Sequence, residues 1–388
     1  MDYMQYLNLV NQKSKVPPDL RFLVSGVDAQ VRRAVGEQII DACRKGRKTL
    51  FLVDNTPNAA ELTNFAGYHV ANVLKGELSL CSDLLNPSSV LQVSRLRALL
   101  ADLGFDSVRA MKVVTYLTFV RETEKRLGNP DRLTVQTLQE YGGTRLVEWK
   151  LGQLVREGRM TQDNCDYLLE RYYEISAAAA DFELFLVLLE PFLDGICQPN
   201  WDTAVHLPVG ELKEDASMQD VMCKLMLSYV KQHRNDCAIL ILDDGMGDAK
   251  CISELLKVVP KATEIHMLTN DAFAFDEATL NAIMNTFPVR VYSKHESMKS
   301  CKVIEDLCGT VEVVEYAYTT AVDRRLRANS PWDLLMGTNY TETETRNAPV
   351  PKPKYRKEMI NRLSNGVGIV DYGGQRVLCP FNERRNFE

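Results

Sequence analysis

No apolar run in these 388 residues approaches the roughly 20 that a bilayer crossing needs. The longest, such as Phe182–Leu189, end at charges or prolines. The opening Met1-Asp2-Tyr3-Met4 lacks the basic-then-apolar layout of a secretory signal, so the expectation is a soluble, cytoplasmic chain. A basic surplus is missing too: 46 Lys and Arg stand against 52 Asp and Glu, a net charge of −6. That balance disfavours wholesale wrapping of nucleic acid. The ten cysteines include no CxxC pair and read as reduced residues packed like small apolar side chains. His69, His206, His233, His266 and His295 lie far apart, without an HExxH or a Cys–His zinc spacing. No Gly-x-Ser-x-Gly elbow occurs, so nucleophilic and metal chemistry have no motif to stand on.

What is present is an ordinary globular composition, 45% hydrophobic and 25% charged, on a chain long enough for two domains. Leu20–Val24 reads as a strand closed by Ser25-Gly26. Asp28 is placed to cap a helix whose Val31, Val35, Ile39 and Ile40 recur at helical spacing, and Thr49–Val53 is a second strand. Strand, helix, strand at this spacing implies a parallel βαβ unit. From Leu91 to Leu193 five amphipathic segments follow without a strand signal, which reads as an inserted all-helical domain. Alternation returns with a strand at Thr203–Val209, a helix capped by Ser217 and the buried strand Cys237–Leu242. Further βα pairs follow, ending in a strand at Thr310–Tyr316; Asn339–Lys357 reads as an extended loop and Val367–Leu378 as a terminal hairpin. The fold class is α/β, with a doubly wound, mostly parallel sheet.

Ligands of such sheets sit at the carboxyl ends of the strands. The stretch Gly26-Val27-Asp28-Ala29-Gln30-Val31-Arg32-Arg33 fits the frame of the phosphate-binding loop GxxxxGK[ST], but only Gly26 survives. Val31 replaces the second glycine, Arg32 the lysine and Arg33 the hydroxyl residue. A β-branched residue resists close phosphate approach, and an arginine cannot ligate Mg²⁺. At the end of the buried strand, Asp243 stands where a metal-holding carboxylate belongs and Asp244 where a catalytic acid would sit. The alternative is that both merely end a strand and favour the next helix N-terminus.

Together these pieces resemble the type IV secretion coupling proteins, the RecA-like ATPases of conjugative DNA transfer. The resemblance rests on the start at Leu20–Asp54, the helical insertion, Trp201–Pro208, Ile239–Asp244, Leu307–Val311 and Arg356–Val370. It implies a RecA-like α/β domain over residues 17–90 and 195–388, interrupted by an all-helical domain over 91–194. It also implies nucleotide at Gly26, Arg32, Arg33, Asp243, Asp244 and Asn270, with Mg²⁺ on Asp243 if a metal is bound. The family's N-terminal membrane helices are not expected here. Thr269-Asn270-Asp271 stands where a glutamine would sense the γ-phosphate, and Asp243-Asp244 replaces Asp-Glu.

Phosphoryl transfer needs cradle, metal and water positioning together. The leading expectation is therefore a pseudo-ATPase with no cofactor, an accessory or adaptor subunit binding protein partners of a conjugation or secretion machinery, in a ring-forming oligomer or alone. Two others stand beside it: an atypical ATP- and Mg²⁺-dependent motor with Arg32 in the lysine's place, and a module that binds nucleotide without hydrolysing it. Arg324, Arg325 and Arg327 with Trp332, and Lys352 and Lys354 with Tyr355, are the basic clusters with aromatics nearby. They read as DNA contacts or as solvated loops facing an acidic partner.

Overall fold

The computed structural model describes residues 21–54, 68–80, 90–128, 133–193, 199–212, 215–244, 249–259, 263–313, 316–322, 340–346 and 350–381. Two compact units divide the chain: Met1–Lys294 with Ser364–Glu388, and His295–Leu363.

The first unit is built on nine strands: β1 (Phe22–Ser25), β2 (Thr49–Asp54), β3 (His69–Asn72), β4 (Thr203–Leu207), β5 (Cys237–Asp243), β6 (Glu264–Thr269), β7 (Val289–Tyr292), β12 (Val367–Tyr372) and β13 (Gln375–Pro380). Their order is β13-β12-β7-β1-β6-β5-β2-β4-β3. All neighbours from β7 to β3 are parallel, while β12 and β13 are added antiparallel. Every residue of β2 and β5 is buried, the mark of strands covered on both faces. Alternation divides them: Leu50, Leu52, Leu240 and Leu242 pack with Val31, Val35, Ile39 and Ile40 of helix α1 (Ala29–Lys45). Phe51, Val53, Ile239 and Ile241 join the opposite core, with α8 (Ala216–Gln232) and α9 (Ala249–Val258).

That same core runs on into the helices between β3 and β4: α2 (Val90–Asp102), α3 (Ser107–Arg126), α4 (Val135–Gln139), α5 (Thr144–Arg156), α6 (Gln162–Ile175) and α7 (Ala179–Leu193). The single long segment expected from Thr161 onward is broken by a 3₁₀ turn at Ser176–Ala178, where Ser176 Oγ donates to the Tyr173 carbonyl at 2.9 Å. Tyr116, Tyr141, Tyr172, Phe182 and Phe185 are fully buried among these helices. Their polar atoms are served internally: Tyr116 Oη donates to the Tyr141 carbonyl at 2.6 Å, and Tyr141 Oη to Glu124 Oε1 at 2.6 Å. Helix α8 is capped by Asp215, which accepts from Met218 N at 3.0 Å, rather than by Ser217. Both residues are N-cap formers two positions apart, and the helix begins at the earlier one.

The second unit carries α11 (Met298–Cys308) and α12 (Lys357–Asn361), with two antiparallel pairs, β8 (Thr310–Val313) with β11 (Val350–Pro353) and β9 (Tyr316–Val322) with β10 (Tyr340–Arg346). The strand expected over Thr310–Tyr316 is thus two strands with different partners. The extended loop expected over Asn339–Lys357 contains β10 and β11. Its Thr-Glu-Thr-Glu-Thr run hides a β-branched residue at every second place, and pairing with β9 makes it a strand. The remaining helix of the first unit, α10 (Glu277–Thr286), is capped by Asp276.

No helix among the described residues is long and apolar enough to cross a membrane. Cys43, Cys165, Cys223, Cys237, Cys301, Cys308 and Cys379 are free thiols, all but Cys223 buried. Among the described residues no three His, Cys, Asp or Glu come together to hold a metal ion.

Candidate functional site

The chain passes from β1 through α1 to β2, three places along the sheet, and β6 and β5 later fill the gap. The carboxyl ends of β1, β6 and β5 therefore stand side by side, and with them Gly26, Asn270 and Asp243-Asp244. This is the crevice where an open α/β sheet takes its ligand.

Three residues, Gly26-Val27-Asp28, separate β1 from α1. A phosphate loop needs its backbone amides turned inward, and here they are engaged elsewhere. Gly26 N donates to the Thr269 carbonyl at 3.1 Å and Val27 N to the Lys294 carbonyl at 2.8 Å. At the start of α1, Gln30 N and Val31 N donate to Asp28 Oδ1 at 2.9 and 3.3 Å. Asp28, 7% exposed, is thus the cap the sequence marks out, and its carboxylate holds the helix amides a phosphate would use. A triphosphate laid on this loop would face a buried carboxylate, and the residues present do not fit it.

Val31 is fully buried in the core against the sheet, which explains why the second motif glycine is absent. Arg32 points its guanidinium at β6 and donates to Asn270 Oδ1. Asn270 Nδ2 in turn donates to the Asp244 carbonyl at 2.8 Å, so the three make a chain from α1 to the end of β5. Burial pushes the Arg32 guanidinium below its ordinary value, and the nearby Asp28 and Asp244 carboxylates act against that fall. Arg33 pairs with Glu37 at 2.9 Å, one turn along the exposed side of α1. Asp243 is 1% exposed and accepts from Thr269 Oγ1 at 3.0 Å. The structure therefore brings together Gly26, Arg32, Asn270, Asp243 and Asp244.

Lys352 lies on β11 in the second unit; Lys354 follows it, its Nζ 5.5 Å from the Tyr355 ring centre. Arg324, Arg325 and Arg327 lie outside the described residues.

Sequence reasoning missed two pairings. At the ends of β2 and β4, His206 Nε2 meets Asp54 Oδ2 at 3.0 Å, with Asp54 3% exposed. At the other ends of the strands, where β6 begins, Glu264 is bonded to His266 Nε2 at 2.8 Å and to Lys48. Burial alone would raise the Glu264 carboxyl, but His266 and Lys48 bring it down to about 2. His206 with Asp54 and Lys48 with Glu264 join residues far apart in sequence, which no spacing rule reveals, whereas Glu264 and His266 are two places apart on one strand.

Sheet order and site together define a RecA-like fold, with an extra parallel strand between the loop-bearing strand and the acid-ended one. No protein-family model matches the chain, and no curated protein matches it in sequence. Solved structures do. The bacterial conjugative coupling protein TrwB, in the unbound monoclinic form of its deltaN70 chain, is 13% identical, with 100% of this chain and 93% of that chain covered and a TM-score of 0.50. The same protein with ADP and Mg²⁺ gives 12% identity, coverage of 99% and 93%, and a TM-score of 0.48. VirB4 of Thermoanaerobacter pseudethanolicus gives 11% identity, coverage of 94% and 90%, and a TM-score of 0.45. At such identity the likeness is one of fold.

Proposed function

We propose that this chain is a non-hydrolysing member of the ATPase-fold proteins of conjugative DNA transfer and type IV secretion, acting as an accessory or adaptor that binds protein partners. The fold shared with TrwB over the whole chain supports the setting. The observation that carries the non-catalytic part is the loop after β1, whose amides at Gly26, Val27, Gln30 and Val31 all have acceptors within the protein. Phosphoryl transfer is almost wholly positioning and charge stabilisation, and a loop closed on its own carboxylate offers neither. Partner binding is assigned to the helices α2–α7. Among the described residues, eight of the fourteen exposed large apolar side chains lie there, Val187 at 68% and Trp149 at 59% exposure among them.

The test is a calorimetric titration of the purified chain with ATP and Mg²⁺ at high protein concentration, with a thermal-stability measurement beside it. No saturable heat and no stabilisation are expected. Saturable binding that disappears in Asp243→Ala would overturn the reading. It would favour a motor in which Arg32 acts for the lysine and Asp243 holds Mg²⁺, a reading that draws on Arg32 facing the end of β5 and on the burial of Asp243. Contact of the Lys352–Lys354 segment and of Arg324, Arg325 and Arg327 with single-stranded DNA is read by anisotropy across a salt series. A phosphate-contacting role requires affinity to fall steeply with salt.

A further inference from the structure

The chain leaves the first unit after Lys294 and returns to it at Ser364. Both crossings are bonded to the loop after β1. On the way out, Ser293 N donates to the Ser25 carbonyl at 2.9 Å, and the Lys294 carbonyl accepts from Val27 N at 2.8 Å. Gly26 has φ +137, and a Cβ there would strike Ser293 Oγ and come within 2.8 Å of the Lys294 oxygen. The one motif residue that survives in the loop is thus required by the approach of the outgoing chain. On the way back, Gly366 N donates to Asp28 Oδ2 at 2.7 Å, and the Gly366 carbonyl accepts from Phe381 N at 2.6 Å. Gly366 has φ +74, and a Cβ on it would press on the Gln30 side chain at 3.0 Å. One buried carboxylate therefore divides its oxygens: Oδ1 holds the first turn of α1, and Oδ2 holds the returning chain.

We propose that Gly26-Val27-Asp28 is a clasp for the two crossings into the second unit, with Asp28 as its fastener. This rests on the non-hydrolytic reading of the loop. Charge-assisted bonds to backbone amides are stronger than neutral ones, and exposed connections between compact units are where chains open first. A loop that in a phosphate-binding site would close on a ligand is here closed on the stretches of its own unit that lead to and from His295–Leu363.

Hydrogen exchange read by mass spectrometry on the full chain tests this, with peptides over 289–296, 361–370 and, as control, 237–243. Asp28→Ala is expected to speed exchange over 364–367 about tenfold, the loss of one charge-assisted bond, with the control unchanged. Because that variant also removes the helix cap, Asp28→Asn decides the matter. Asparagine caps as well as aspartate, but it lacks the second carboxylate oxygen that Gly366 N meets. Faster exchange over 364–367 with the first turn of α1 still protected supports the clasp. A returning chain as protected as in the unaltered protein overturns it, and so does equal loosening of α1 and the crossing. Nucleotide binding is read on the unaltered protein and the clasp on variant exchange, so each proposal fails on its own measurement.

Discussion

Asp28 and Gly366 stand 338 residues apart in sequence and are joined at 2.7 Å, carboxylate oxygen to backbone amide. That bond ties the chain returning to the first unit to the loop that follows the first strand.

Restoring the motif lysine should not restore function. In Arg32→Lys the charge remains, but the amides of Gly26, Val27, Gln30 and Val31 keep their acceptors. The expected result is no saturable heat with ATP and Mg²⁺ by calorimetry. Binding in the micromolar range would show that the loop opens more easily than its hydrogen bonds imply.

Gly26→Ala and Gly152→Ala should move stability in opposite directions. The first puts a Cβ within 2.8 Å of the Lys294 oxygen at φ +137, and a loss of about 2 kcal/mol or more is expected. The second lies within α5, where a Cβ meets nothing within 4 Å, and a gain of about 0.5–1 kcal/mol is expected. Denaturant midpoints on the two variants give the answer, and a neutral Gly26→Ala would contradict the packing of the outgoing chain.

Removing Lys150 should be costly. It joins Glu124 at 2.7 Å and Glu140 at 2.6 Å, with Nζ 4.2 Å from the Tyr141 ring centre, and Glu124 is 4% exposed. Lys150→Met takes the ammonium away from that buried carboxylate, and a loss of about 3 kcal/mol is expected by thermal or chemical unfolding. Lys150→Met with Glu124→Gln should recover part of it, as a double-mutant cycle would show.

How much of this was legible follows from the range of each interaction. The βα alternation and the cap at Asp28 depend on neighbours a few residues away, and the buried run of β5 is apolar enough to read directly. The acid pair at its end was also visible as spacing. Gly26 was visible too, but its reason was not: the chain that needs it close by is Ser293–Lys294, which follows the neighbouring strand β7 in space but lies far along the sequence. Val31 reads two ways in the sequence, as a departure from the phosphate loop and as the first apolar position of α1, and the structure buries it in the core under that helix. The strand β10 reads as loop from sequence because its polar residues outweigh its alternation until β9 is placed beside it.

Acid should weaken the start of β6 at Glu264. Its folded-state value, about 2, lies below the ordinary 4.5, so its contribution is present above 4.5 and is lost as pH falls toward 2. Replacing it by Gln should remove about 2 kcal/mol near neutral pH and flatten the decline of stability over that window, measured by denaturant titration at successive pH values.

Tyr292 of β7 lies opposite Ile369 of β12, and the two strands run antiparallel. Topologically, then, His295–Leu363 is the connection of a hairpin, grown to the size of a module. The strands on either side of it are neighbours in one ladder, so a graft of a short turn in its place would leave every strand pairing of the sheet intact. Nature could likewise lengthen, exchange or lose that module by a single splice, while the rest of the molecule kept its register.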